Sequence, residues 1–310
     1  MIHRLYAGAV VLLAAHMLFG QGQRDLQGIW TNTTITPLER PVSLAGKQVF
    51  TPEEAAKYER ETNQRNDADN RESNPEADVN HAYNQFWWDR GTKVVPGLRT
   101  SLIVDPPDGR VPALTPEAQK RMAAQFAYTR EHSTDGPENR SLQERCINWP
   151  TAGPPMLPSF YNNEYQIVQT SSAIAIVIEM IHDVRIIPLD GRPHLASSVR
   201  QWMGDSRGHW EGNTLVVDTT NFTDKSRFRG ADENLHLTER FSRVNPDTVL
   251  YEFTVDDPTA FTKPWTAQIP MTKTKGPVFE YACHEGNYAM VDILAGARAA
   301  EKKAPKEFRQ

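Results

Sequence analysis

Two carboxylates in this sequence fall where carboxylates are costly. In "LHLTERF", strand alternation puts Leu235, Leu237, Glu239 and Phe241 on one face and His236, Thr238 and Arg240 on the other. In "AIAIVIEMI", the same alternation groups Glu179 with Val177 and Ile181. A carboxylate among apolar neighbours has to be neutralised, ion-paired or held for a purpose. The structural solution is an internal pair with Arg185, Arg240 or Arg243. The chemical solution is a pocket acid/base, with His182 or His209 as partner, serving a hydrolysis, elimination or isomerisation.

Other chemistry-bearing patterns are weaker. "GDSRG", residues 204–208, matches the G-x-S-x-G elbow, but that chemistry needs a strand, a strained turn and a helix, whereas a turn and a strand follow here. Its glycines read as loop-shaping residues. "GHWEGNTLVVDTTNF" then reads as a corner: Glu211-Gly212-Asn213 connects a hairpin, Trp210 packs before it, and His209 stays a pocket candidate. No HExxH is present, and His182, His194, His209, His236 and His284 lack compact ligand spacing, so neither a metal nor a cofactor is expected. Trp202, Trp210, Tyr251, Phe253 and Trp265, with Arg185 and Arg240, are the candidate contacts for a small apolar or aromatic molecule.

These side chains need a scaffold. From about residue 160, short apolar runs alternate with turn signals: "EYQIVQT", "AIAIVIEM", "DVRIIPL", "TLVVDTTNF", "HLTERFSRV", "DTVLYEFTV", "WTAQIPM" and "VFEYACH". In "NYAMVDILAGARAAEKK", Met290, Ile293, Leu294 and Ala297 share one helical face. The pattern predicts a mainly β protein: an antiparallel, lipocalin-like β-barrel with a few short helices, able to hold one small ligand. An open sandwich is the alternative. Upstream, Gly28-Ile29-Trp30 reads as a strand, and Thr51, Pro52 and Glu54 spell the start of a capped helix. Thr115-Pro116 opens a second helix, and residues 66–80 form a polar loop. The expected division is a signal peptide at 1–23, an extended and helical segment at 24–150 packing on the barrel, and the barrel with its C-terminal helix at 151–310.

"WMGDSRGHWEGNTLVVDTTNF", "LHLTERFSRVNPDTVLYEFTVDDPTAFTKPWT" and "YACHEGNY" resemble a family of secreted soil-bacterial proteins whose C-terminal half is lipocalin-like. "RTSLIVDPPDGRVPALTPE" is similar to the N-terminal portion of the same family. The resemblance implies the barrel and export, and brings no catalytic roles with it.

Composition narrows the partners. With a net charge of -5, the chain lacks the basic face that nucleic acid requires. "MIHR" followed by "LYAGAVVLLAAHMLF" has the charged start and short apolar run of a signal peptide, so a periplasmic or secreted protein with no stable membrane span after cleavage is expected. In that compartment the isolated pair Cys146 and Cys283 reads as a disulfide. The leading expectation is therefore an exported small-molecule binder. An enzyme built on the same barrel, and an envelope structural protein, are the alternatives. Nothing in the sequence specifies an oligomeric state.

Overall fold

The computed structural model describes residues 24–70 and 84–303. The expected signal peptide and most of the polar loop lie outside the described residues. Ten strands form one antiparallel sheet: β1 (Gly28–Thr31), β2 (Ile103–Asp105), β3 (Glu164–Gln169), β4 (Ala173–Ile178), β5 (Val184–Pro188), β6 (Asp205–Glu211), β7 (Thr214–Thr220), β8 (His236–Asn245), β9 (Thr248–Asp256) and β10 (Trp265–Thr274). Three α-helices accompany them: α1 (Pro52–Asn66), α2 (Pro116–His132) and α3 (Tyr288–Lys303).

The spatial order is β5-β4-β3-β1-β10-β9-β8-β7-β6. Two meanders, β3 to β5 and β6 to β10, are thus joined by β1, which pairs with β3 on one side and β10 on the other. Ile29, Trp30 and Thr31 pair with the end of β10, and Trp30 anchors them, fully buried with its indole N–H donated to the Leu26 carbonyl at 2.9 Å. β2 takes the other half of β10's edge.

Alternation sets which side chains enter the core. Every second residue of β9 is buried, giving Val249, Tyr251, Phe253 and Val255. In β4 these are Ile174, Ile176 and Ile178. β-Branched and aromatic residues at period two suit a sheet with one face packed and one wet. Among the described residues no backbone ladder joins β5 to β6, so the sheet is not closed by hydrogen bonds. Their side chains do meet. Arg185 of β5 bonds to Ser206 of β6. Gly208 of β6 lies so close to Ile187 and Leu189 that a Cβ there would fall 2.9 and 2.7 Å from them.

Two local expectations are corrected. "DSRGHWE" is the strand β6, paired along its whole length with β7, and not a loop. Its buried Ser206 and Gly208 carry no apolar side chain, so the sequence shows no alternation to read. "VFEYACH" is irregular and not a strand. Gly276-Pro277 interrupts the chain before it, and the Phe279 N–H is taken by the Glu179 carboxylate at 2.9 Å. Elsewhere the local signals agree with the structure. Thr51 and Glu54 form a reciprocal capping box at the start of α1. Gly212-Asn213 is the two-residue β6–β7 connection. Met290, Ile293, Leu294 and Ala297 are the half-buried stripe of α3.

Cys146 and Cys283 are bridged, with Cα atoms 5.8 Å apart across 137 positions of sequence. Because Cys283 follows β10, the bridge ties the chain before β3 to the irregular segment that leads into α3. A loop of that length loses much unfolded-state entropy when closed, so replacing both cysteines by serine should cost about 2–4 kcal/mol. Chemical denaturation of the oxidised protein and the double variant measures this. Non-reducing peptide mapping should recover the crosslinked pair.

Candidate functional site

The interior holds a polar network rather than a ligand chamber. The Arg185 guanidinium, 4% exposed, makes a two-point contact with the fully buried Glu239 carboxylate: Nη1 donates to Oε1 at 2.9 Å and Nη2 to Oε2. Arg185 Nε and Nη2 also donate to Ser206 Oγ at 3.0 and 2.9 Å, and Nη2 to Thr219 Oγ1 at 2.8 Å. The Tyr251 hydroxyl donates to Glu239 Oε1 at 2.8 Å and accepts the Met156 N–H at 3.0 Å. Burial, then the Glu239 charge, holds the Tyr251 phenol well above its ordinary pKa, so it stays a donor. Ser206, the serine of the elbow-like motif, accepts from a buried arginine, the wrong setting for a nucleophile.

Glu179 sits elsewhere. The chain leaves β4 at Ile178, so the alternation that groups Glu179 with Val177 and Ile181 stops short of it. A short 3-10 turn follows, with Ile181 and His182 in the left-handed region at φ 67° and 61°. The buried Glu179 carboxylate accepts the Glu164 N–H at 3.3 Å and the Phe279 N–H at 2.9 Å, latching the segment after β10 onto the sheet. Glu164 lies beside it. Burial, then the charges of Glu179 and Asp89, push the Glu164 pKa up to about 7, partly offset by a hydrogen bond from Thr274.

The other candidates are spread out. His182 and His209 are exposed, and His209 Nε2 meets Glu211 Oε1 at 3.2 Å. Arg240 also bonds to Glu211, at 2.5 Å. Trp210, at the same hairpin, lies under the Arg24 guanidinium, 5.8 Å from the ring centroid. Tyr251, Phe253 and Trp265 are fully buried and stack in sequence, with centroids 5.6 and 5.7 Å apart. Among the described residues no histidine side chain is hydrogen-bonded to the Glu239 or Glu179 carboxylate.

Open space lies outside this interior, beside the segment that precedes β3. One cleft of about 490 Å³ is lined by Ile35, Leu38, Leu102, Leu157 and Phe160, with Arg90 and Arg229. A second, of about 270 Å³, is lined by Trp202, Phe222, Phe228 and Leu235, with Lys225 and Arg227. Gln143, Trp149 and Pro150 line both. Of the aromatic residues that the sequence offers as barrel walls or rim, Trp202 and Phe222 line the smaller cleft, while Trp210, Tyr251, Phe253 and Trp265 line neither. A third cleft, about 450 Å³, runs past Cys283 and α3 and is lined by Glu144, Glu280 and Glu285 with Arg140.

A fourth arrangement, missed in the sequence, is a histidine–aspartate chain across β6, β7 and β8. His194 Nδ1 lies 3.1 Å from the buried Asp205, and its Nε2 lies 2.8 Å from Asp218. The other Asp218 oxygen is 2.5 Å from His236 Nε2. Arg207 bonds to Asp205 at 2.6 Å. The bond from His236, and after it the bond from His194, lowers the Asp218 pKa against the opposing effect of burial, and the His236–Asp218 bond raises His236. The chain holds the 190–200 loop, which leads to Trp202. Neither of the clefts flanking Trp149 is lined by it.

Compared with family models, curated proteins and solved structures, the sequence and fold give no significant match. Among the described residues no cluster of histidine, cysteine or carboxylate side chains could hold a metal ion, and no helix is long and apolar enough to cross a membrane.

Three outcomes follow from this geometry. Glu239→Gln strips the counter-charge from a buried arginine and should cost about 3 kcal/mol or more, measured by chemical denaturation. Glu164 has a folded pKa raised above its ordinary 4.5, so its contribution is intact below that value and is lost as pH rises through about 7. Glu164→Gln should therefore raise the melting temperature at pH 8 and change it little at pH 4. His236 is raised above its ordinary 6.5, so it stabilises below that pH and stops as pH rises through its folded value. Asp218, lowered below 3.8, stabilises above that pH and stops as pH falls through its folded value. Asp218→Asn should accordingly destabilise most between these two ordinary values, with the His236 NMR titration moving to lower pH.

Proposed function

We propose that this is an exported protein that binds a small molecule with an apolar or aromatic body, in the clefts flanking Trp149. The observation that carries the reading is the cleft of about 490 Å³, in the size range of small-molecule sites, with apolar walls and two guanidinium groups. The interior reads differently. Arg185, Glu239, Tyr251, Phe253 and Trp265 fill the space that a lipocalin-like ligand would take. We read the sheet as a lipocalin-like barrel whose last gap, β5 to β6, is spanned by side chains in place of a ladder. Export fits the disulfide, which persists in oxidising compartments. The acid/base alternative lacks its second partner, because the side chains bonded to Glu239 are an arginine and a tyrosine.

Native mass spectrometry of protein purified from its own host tests the reading. A non-covalent adduct of small-molecule mass, released on denaturation, is the expected result. Phe160, 58% exposed, and Trp202 each line one cleft, so their alanine variants should fold normally. One of them should lose most of the adduct. Bare polypeptide, together with no binding in a ligand-observed NMR screen of small aromatic compounds, would overturn the proposal.

A further inference from the structure

We infer that the occupant of the larger cleft is an organic carboxylate, with Arg90 as the group that receives its charged end. This rests on the cleft-binding reading and adds the chemical class of the ligand. The first observation is charge distribution. The chain has 39 acidic against 34 basic side chains, yet no carboxylate lines either cleft beside Trp149. Arg90 and Arg229 line the larger one, Lys225 and Arg227 the smaller. A cationic recess in an acidic protein focuses the field of its charges on the solvent within it and favours anions there.

The second observation separates Arg90 from its neighbours. Arg229 is already engaged, with Nη1 3.2 Å from Glu39. Lys225 and Arg227 are exposed to solvent, where a bound charge gains little. Arg90 is partly buried, and among the described residues it has neither a carboxylate within ion-pair distance nor a partner for its Nε. Burial alone lowers its pKa, and no neighbouring charge contributes to that shift. Its guanidinium lies 4.0 Å from the Trp88 ring centroid and 5.6 Å from that of Phe160. The guanidinium lies over Trp88 with Phe160 edge-on beside it, and these contacts restrain the plane of the fork before anything binds, so less side-chain entropy is lost when it meets a ligand.

A planar fork held this way matches a planar two-oxygen anion, which it can grip through two parallel N–H donors. The remaining walls specify the rest of the ligand. Ile35, Leu38, Leu102, Leu157 and Trp149 offer apolar surface, so the carboxylate is attached to an aromatic or branched aliphatic body. Among the described residues no second free cation lines the larger cleft beside Arg90, which suits a monoanion better than a phosphate ester, a group that usually gathers several donors.

Three probes sharing one body test this by isothermal titration calorimetry at pH 7.4: 2-naphthoate, 2-naphthamide and 2-naphthylmethylammonium. Wild type should bind the carboxylate at least tenfold more tightly than the amide, and the ammonium most weakly. Arg90→Met keeps an unbranched side chain against Trp88 and Phe160. It should abolish the preference while leaving the amide affinity unchanged, with the same thermal melt as wild type. Lys225→Met should retain the preference. Equal binding of carboxylate and amide to wild type, both weakened by Phe160→Ala, would overturn the carboxylate assignment and leave the cleft reading standing. A preference that survives Arg90→Met would also overturn it, since the charge would then be read elsewhere. Failure of all three probes to bind at millimolar concentration would overturn both.

Discussion

The buried contact between Arg185 and Glu239 is the constraint around which the sheet is arranged. Two charges taken out of water lose their hydration, and only mutual attraction plus a full set of hydrogen bonds offsets that loss. Each partner therefore has to be surrounded by donors and acceptors at fixed places. Ser206 and Thr219 receive the guanidinium's remaining protons, and Tyr251 supplies a further donor to the carboxylate. Those five residues come from β5, β6, β7, β8 and β9, so one network spans the five strands. It also crosses between β5 and β6, which no backbone ladder joins among the described residues. A buried pair of this kind adds little net stability compared with well-packed apolar residues. Its larger effect is on specificity, because other registers of β5 would leave a charge unmatched inside.

That choice has a consequence for where a ligand can go. Arg185 and Glu239, with Tyr251, Phe253 and Trp265 stacked beside them, occupy the interior. The network instead reaches outward through Tyr251, whose hydroxyl takes the Met156 N–H. The Tyr165 hydroxyl donates to the Thr151 carbonyl at 3.4 Å in the same segment. Residues 149–157 are therefore pinned from below by two buried tyrosines. From this segment Trp149 and Leu157 project as cleft walls. A binding site on loops gains precision when the loops rest on a rigid layer, and here that layer is the polar core itself.

Much of the sheet was legible because its strands alternate cleanly. Ile174, Ile176 and Ile178 announce β4, and Leu237, Glu239 and Phe241 announce both β8 and the buried charge within it. The identity of Glu239's partner was narrowed to three arginines and no further, because the pairing joins residues 54 positions apart through three intervening turns. β6 was invisible for a related reason. Its inward positions had to be small and polar to seat Arg185, and Ser206 and Gly208 look like loop residues. "VFEYACH" erred in the other direction: its apolar pattern suits a strand, but the Glu179 carboxylate captures its backbone. The clefts were not legible at all. Their walls come from residues 34–38, 62, 66, 90, 102, 142–160 and 202–235, and no local pattern signals which of these segments converge.

The convergence depends on closures that are distant in sequence. β1 must find β3 and β10, more than 130 and 240 positions away, before the two meanders share a core. The segment carrying Arg90 hangs from that junction: the Asn163 side-chain amide donates to the Asp89 carbonyl, and the Asn32 N–H to the Asn163 carbonyl at 3.4 Å. Cys146 then ties the far wall of the same region to the chain beyond β10. The residues around Trp149 are thus fixed by β1, by the buried tyrosines and by the disulfide, three constraints of different physical kinds. A surface recess held from three sides keeps its shape without a guest. Such preorganisation would spare a site in this recess the cost of ordering its own walls when a small molecule binds.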